Sequence, residues 1–248
     1  MESTLKSLPE AQSLTAREVL RAAWPLFQVS LPGCLPLAVL GVAASGVPGA
    51  EAVARGEHGL QHSPDWWGLY LASTVLTLIC YAGVLRQQLA WARGERIGAV
   101  NSLRRSLIEL PGTAGVVLLS TLAIVLGFCL LVVPGLLALG YTFFAWTAQI
   151  EERLGPVAAL RRSVVLVRGR FYDIAGIFGA LLAAVLVFVL LSGILLGIVM
   201  KLAGPGAESG HGWLSFSRLL MAGLLSIPVV YAGAVTVTAW RKAIRTRS

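Results

Sequence analysis

The sequence predicts an all-α, polytopic membrane protein with six transmembrane helices, and three observations predict it. Charge is scarce: 13% of the 248 residues are Asp, Glu, Lys or Arg, while 56% are hydrophobic. A soluble domain carries about 25% charged residues. The uncharged residues also gather into long windows, as helices do when they satisfy their own backbone hydrogen bonds in lipid. The basic residues, finally, fall almost entirely on one side of the topology those windows imply.

Five windows free of charged residues run 22–50, 66–85, 110–150, 174–200 and 219–240. About 20 helical residues, rising ~1.5 Å each, cross a hydrocarbon core of ~30 Å. The window 110–150 is twice that length, so it supplies two crossings and brings the total to six. Within it the sequence VVPG, 132–135, predicts the turn. Pro134 removes a helical hydrogen bond and Gly135 eases the bend.

Six spans place both termini on one side, and charge identifies that side as cytoplasmic. Lys6, Arg17 and Arg21 precede span 1, and Arg86, Arg93, Arg96, Arg104 and Arg105 follow span 2. Arg153, Arg161, Arg162, Arg168 and Arg170 follow span 4, and Arg241, Lys242, Arg245 and Arg247 close the chain. Only Arg55, Lys201 and Arg218 fall outside, 17 basic residues against 3. The net charge of +8 is therefore a signal of topology, and nucleic acid is excluded as the partner it serves. The tryptophans mark the two boundaries: Trp66, Trp67 and Trp213 the outer, Trp24, Trp91, Trp146 and Trp240 the inner. The polar first 20 residues lack a short apolar core, so no cleaved signal peptide is expected. Cys34, Cys80 and Cys129 lie in or at the ends of spans and read as buried small hydrophobes, with neither disulfide nor metal-ligand spacing.

One charged phrase occurs twice. GERIGAVNSLRRSLIEL starts at Gly94 and EERLGPVAALRRSVVLV at Glu151. Aligned at an offset of 57, eight of the twelve positions from 95 to 106 are identical, Leu103-Arg104-Arg105-Ser106 matching Leu160-Arg161-Arg162-Ser163 without change. Each copy precedes two spans, so the units are parallel repeats. The stretch LTAREVLRAAW, 14–24, holds the same place before the first pair of spans. Three units follow, at 13–93, 94–151 and 152–248, each an interfacial cytoplasmic helix plus a helical hairpin. On a helical wheel Val100, Leu103, Leu107 and Leu110 form one apolar stripe, and Val157, Leu160, Val164 and Val167 form its counterpart. Arginines at its edge reach lipid phosphates from such a helix. Gly98 and Gly155 suit a turn into each helix, and Pro156 a first helical position. Glu95, Glu151 and Glu152 precede those starts, where the helix dipole favours an anion.

The run VVPGLLALGYTFFAWTAQIEERLGPVAALRRSVVLVRGR resembles the YciC-like family of bacterial integral membrane proteins. The resemblance rests on Pro134-Gly135, Glu152, Gly155, Ala159-Leu160, Ser163 and Val167-Arg168-Gly169. It implies a six-span fold, also found as the membrane domain of some glycerophosphoryl diester phosphodiesterases, and placement in the bacterial inner membrane. It implies no chemistry, and the chain holds nothing to house a phosphodiesterase barrel.

The spans contain no ionisable residue, which argues against a proton-coupled pump. Hydroxyls such as Thr74, Thr77, Ser120, Thr142, Thr236 and Thr238 read as glue between helices or as the lining of a path. Gly193 and Gly197 form a GxxxG, either packed within the bundle or part of a dimer face. His58 and His62, four apart beside Glu57 and Asp65, are weak metal candidates; no metal or other cofactor is expected. No nucleophile–base pair, phosphate loop or paired catalytic carboxylate appears, so the chain reads as non-enzymatic. Orientation alone needs basic residues in the inner loops, but not the same Leu-Arg-Arg-Ser on the same stripe twice. A basic collar of Arg104, Arg105, Arg161, Arg162, Arg168 and Arg170 is therefore expected to bind anionic lipid headgroups or an acidic protein partner. The first reading is a lipid- or partner-binding scaffold. The alternative is a channel or transporter for lipid or small solute, with its path near the repeat axis.

Overall fold

The computed structural model describes residues 15–54, 64–203 and 211–245, and its regular structure is helical throughout. In order these are α1 (Ala16–Ala54), α2 (Pro64–Ala92), α3 (Ala99–Ile108), α4 (Leu110–Leu130), α5 (Val132–Thr142), α6 (Ala145–Glu152), α7 (Pro156–Val167), α8 (Phe171–Ala203) and α9 (His211–Arg245). Six segments are long and apolar enough to cross a membrane, α5 and α6 together forming the fourth. The protein is thus an all-helical, multi-pass membrane protein.

Two short helices, α3 and α7, lie between spans. Gly98 and Gly155 sit in extended backbone immediately before them, and Pro156 takes the first position of α7, where its missing N–H has no intrahelical acceptor to lose. Glu109 alone separates α3 from α4, and Gly169, at φ +88°, turns the chain from α7 into α8. The expected third helix of this kind, over 14–24, does not form. Residues 16–24 are instead the first turns of α1, an unbroken helix of 39 residues. No glycine interrupts 16–32, and Pro25 bends a helix without ending it when the remaining turns are held by packing.

The α4–α5 turn also differs from expectation. The break is Leu131, at φ −172° and ψ 161°, while Pro134 and Gly135 lie in the first turn of α5. Pro134 is tolerated there because a first-turn N–H has no helical acceptor. Gly135 serves close approach and not the bend. A Cβ at Gly127 would stand 2.8 Å from the Gly135 Cα, and one at Gly135 would enter the Phe128 ring.

Packing is concentrated toward one end. α1 runs against α2 and α9, and α2, α6 and α9 also touch one another. Their buried residues cluster at the C-terminal ends of α2 and α9 and the N-terminal half of α1, which is the end where most arginines lie. Trp240, near the charged C-terminal end of α9, is 1% exposed and packs edge-on against Phe144. α4 and α8 form the outside of the bundle and expose leucines along their length. Gly193 and Gly197 on α8 face open space, so their GxxxG does not pack the bundle among the described residues.

Candidate functional site: the basic end of the bundle

α2 continues past the hydrophobic window into Arg86-Gln87-Gln88, and all three are buried. Arg86 was expected in a loop. It lies inside the helix because Leu85 before it and Leu89 and Ala90 on the following turn are also buried, so helical packing carries it inward. Its guanidinium meets Glu109 in a two-pronged pair, Nη1 to Oε1 at 3.1 Å and Nη2 to Oε2. The pair joins α2 to the α3–α4 joint, with side-chain exposures of 8% for Arg86 and 27% for Glu109. The positions fifty-seven residues on are apolar: Leu166 belongs to the core and Phe143 packs against it.

The rest of this layer links helices through amides and hydroxyls. Gln88 Nε2 donates to the Val230 carbonyl of α9 at 2.7 Å. Gln87 in its better amide orientation donates to Gly33 O of α1 and accepts from Ala99 N of α3. Thr113 Oγ1 of α4 donates to Gln149 Oε1 of α6 at 3.2 Å. Sequence reasoning missed this layer. The signal available was the Arg86-Gln87-Gln88 triplet followed at once by further hydrophobic residues.

The repeated Leu-Arg-Arg-Ser docks through its serine. On α3 the buried positions are Ser102 and Ser106, and on α7 they are Ala159, Ser163, Leu166 and Val167. Val100, Leu107 and Ile108 on one helix, and Val157, Val164 and Val165 on the other, point outward. Ser163 bridges the interruption between α5 and α6, accepting from Phe144 N at 3.1 Å and donating to Tyr141 O at 2.6 Å. Ser106 packs near Gly83 of an unbroken helix, whose backbone groups are already paired, and its hydroxyl has no partner.

The rim carries several ion pairs. Arg93 joins Glu151 at 2.5 Å and Glu95 at 3.5 Å. Burial disfavours the Arg93 charge, but the hydrogen bond and charge of Glu151, helped by Glu95, hold its guanidinium above the ordinary value. Arg162 meets Glu152 at 3.0 Å, Lys242 meets Glu18 at 3.9 Å, and Arg241 donates to Ala92 O. Of the six arginines in the expected collar, Arg162 is therefore already paired, and Arg168 and Arg170 are not free. Arg104, Arg105 and Arg161 are exposed and have no ion pair among the described residues.

The remaining candidates are not drawn together. His58 and His62 lie outside the described residues. No group of three His, Cys, Asp or Glu residues suited to a metal occurs among the described ones. Thr74, Thr142, Thr236 and Thr238 donate to carbonyls four residues back in their own helices, so they glue no neighbour. Thr77 alone of the expected hydroxyls reaches across, to Gly41 O of α1 at 3.3 Å. Comparison of the chain with protein families, curated proteins and solved structures returns no match.

Proposed function

We propose that the protein is a non-enzymatic, lipid-binding scaffold of the bacterial inner membrane, with its basic end in the cytoplasm. The observation that carries this is the presentation of Arg104, Arg105 and Arg161. Each projects outward from a docked helix beside exposed apolar residues, and none has an acidic partner among the described residues. A helix docked through one face, apolar and basic on the other, holds the depth of the lipid headgroups. Each arginine there adds ~1 kcal/mol of attraction to an anionic leaflet. The 17 to 3 distribution of basic residues supports the cytoplasmic assignment. The common docking of α3 and α7 supports a repeated hairpin design, and the Pro134-Gly135 to Gly169 residues support YciC-like membership. Where α2, α6 and α9 meet, Phe144, Ala148, Val237 and Trp240 are closely packed, which favours a scaffold over a conduit.

The test replaces Arg104, Arg105, Arg161 and Arg162 with glutamine and measures lipid retained through purification by native mass spectrometry. A correctly folded variant should lose anionic phospholipid and keep zwitterionic lipid. Unchanged retention of anionic lipid would overturn the reading.

A further inference from the structure

The two copies of the charged phrase, alike in sequence, differ in how their charges are used. In the second copy Glu152 takes Arg162 at 3.0 Å. In the first copy the corresponding Glu95 turns to Arg93 instead, at 3.5 Å, and Arg105 is left without a carboxylate. The turn at Gly94, φ +84°, sets Arg93 and Glu95 on the side of Glu151. A cleft of about 420 Å³ results, lined by Arg96, Gly98, Asn101, Arg104 and Arg105 together with Ile97 and Ile108, and no acidic residue lines it. Arg96 is held in place over the Trp91 ring, 5.0 Å from its centre. The start of α3 also contributes. No side chain caps it, and the N–H groups of Val100 and Asn101 find no acceptor among the described residues. The second copy has Pro156 at the first position of its helix, which removes one such donor.

We propose that this α3 cleft is a single phosphate site, selective for a phosphomonoester. Three guanidinium groups and Asn101, at the uncapped start of α3, line a space with no negative charge of its own. A phosphomonoester brings close to two negative charges at neutral pH and three strong acceptor oxygens, whereas a phosphodiester headgroup brings one charge. Guanidinium forks suit phosphate oxygens in pairs, which lysines do not. Ile97 and Ile108 border the cleft and give the glycerol end of a lipid an apolar edge. The site rests on the reading that the basic end meets phosphate-bearing lipid, but it assigns that binding to one copy of the phrase.

The full chain in zwitterionic nanodiscs is titrated with dioctanoyl phosphatidate, dioctanoyl phosphatidylglycerol and inorganic phosphate. Phosphatidate should bind with one-to-one stoichiometry and more tightly than phosphatidylglycerol. R104Q/R105Q should weaken it about 30-fold, as two lost headgroup arginines imply, while R161Q/R162Q, which removes one unpaired collar arginine outside the cleft, should weaken it by no more than about 5-fold. R104K/R105K keeps the charge and should fall between wild type and R104Q/R105Q. Competition by inorganic phosphate at the same site supports the phosphate site and assigns it to soluble esters in preference to lipid. Equal weakening by the two glutamine pairs would overturn the single site and leave the diffuse collar standing. No weakening by either pair would overturn both.

Discussion

Ser106 and Ser163 occupy the same place in the repeated Leu-Arg-Arg-Ser, yet their replacement by alanine should have opposite consequences. Ser163→Ala removes the acceptor of the Phe144 N–H and the donor to the Tyr141 carbonyl. Phe144 is fully buried, so water does not replace the lost acceptor. A buried group left unsatisfied costs about 1–3 kcal/mol. Alanine's better helix propensity returns at most about 0.5 kcal/mol. The net loss is then roughly 0.5–2.5 kcal/mol. Ser106→Ala deletes a buried hydroxyl that has no partner, so desolvation is relieved and propensity improves. Its effect should lie between zero and a gain of about 1 kcal/mol. The two variants should therefore differ by about 2 kcal/mol at the middle of these ranges, more than a factor of ten in the folding equilibrium. Equilibrium unfolding in mixed micelles with increasing SDS measures both on one scale. Hydrogen exchange at the Phe144 amide gives a local check and should accelerate only in Ser163→Ala. Equal destabilisation, or an unchanged Phe144 amide, would refute the claim that Ser163 holds the helix break together.

Three further perturbations follow from the same geometry. Glu109→Leu strands the buried Arg86 charge and should cost about 3 kcal/mol, the low end for a broken buried pair because Glu109 is partly exposed. Adding Arg86→Phe, which copies Phe143 and Leu166 of the second unit, should recover most of that loss in the same unfolding assay, and no recovery would contradict the equivalence. Gly127→Ala pushes a methyl into the Gly135 backbone and should destabilise by about 1–3 kcal/mol, whereas Gly193→Ala meets open space and should be neutral or slightly stabilising in thermal unfolding. Glu152→Gln frees Arg162 and should raise the phosphatidate stoichiometry above one, as read by native mass spectrometry.

Hydropathy, charge and the doubled phrase were enough to determine the all-helical class, the six spans and the glycine starts of α3 and α7. These depend on local quantities: about 20 apolar residues for a crossing, and a residue free to leave the helical region before a helix begins. The features legible only in part were those where a local signal competes with packing. Pro134 and Gly135 mark the α4–α5 hairpin, but the chain breaks at Leu131 and uses Gly135 for its contact with Gly127. Trp240 has the composition of an interface residue and is drawn inward because α9 lies against both α1 and α2.

What only the tertiary structure decided was the use of polar groups. Nothing in Thr142-Phe143-Phe144 announces a helix break; it exists because a serine nineteen residues on supplies the missing bonds. Arg86 reads as a loop residue until Glu109, twenty-three positions away, is brought to it. Glu95 and Glu152 are the same letter in the same phrase, and only their neighbours in space decide which arginine each one neutralises. A sequence states how many charges and hydrogen-bonding groups a chain carries and how far each can travel along a helix. Which of them meet depends on distances across the bundle, because an ion pair or hydrogen bond needs its partner within a few ångströms.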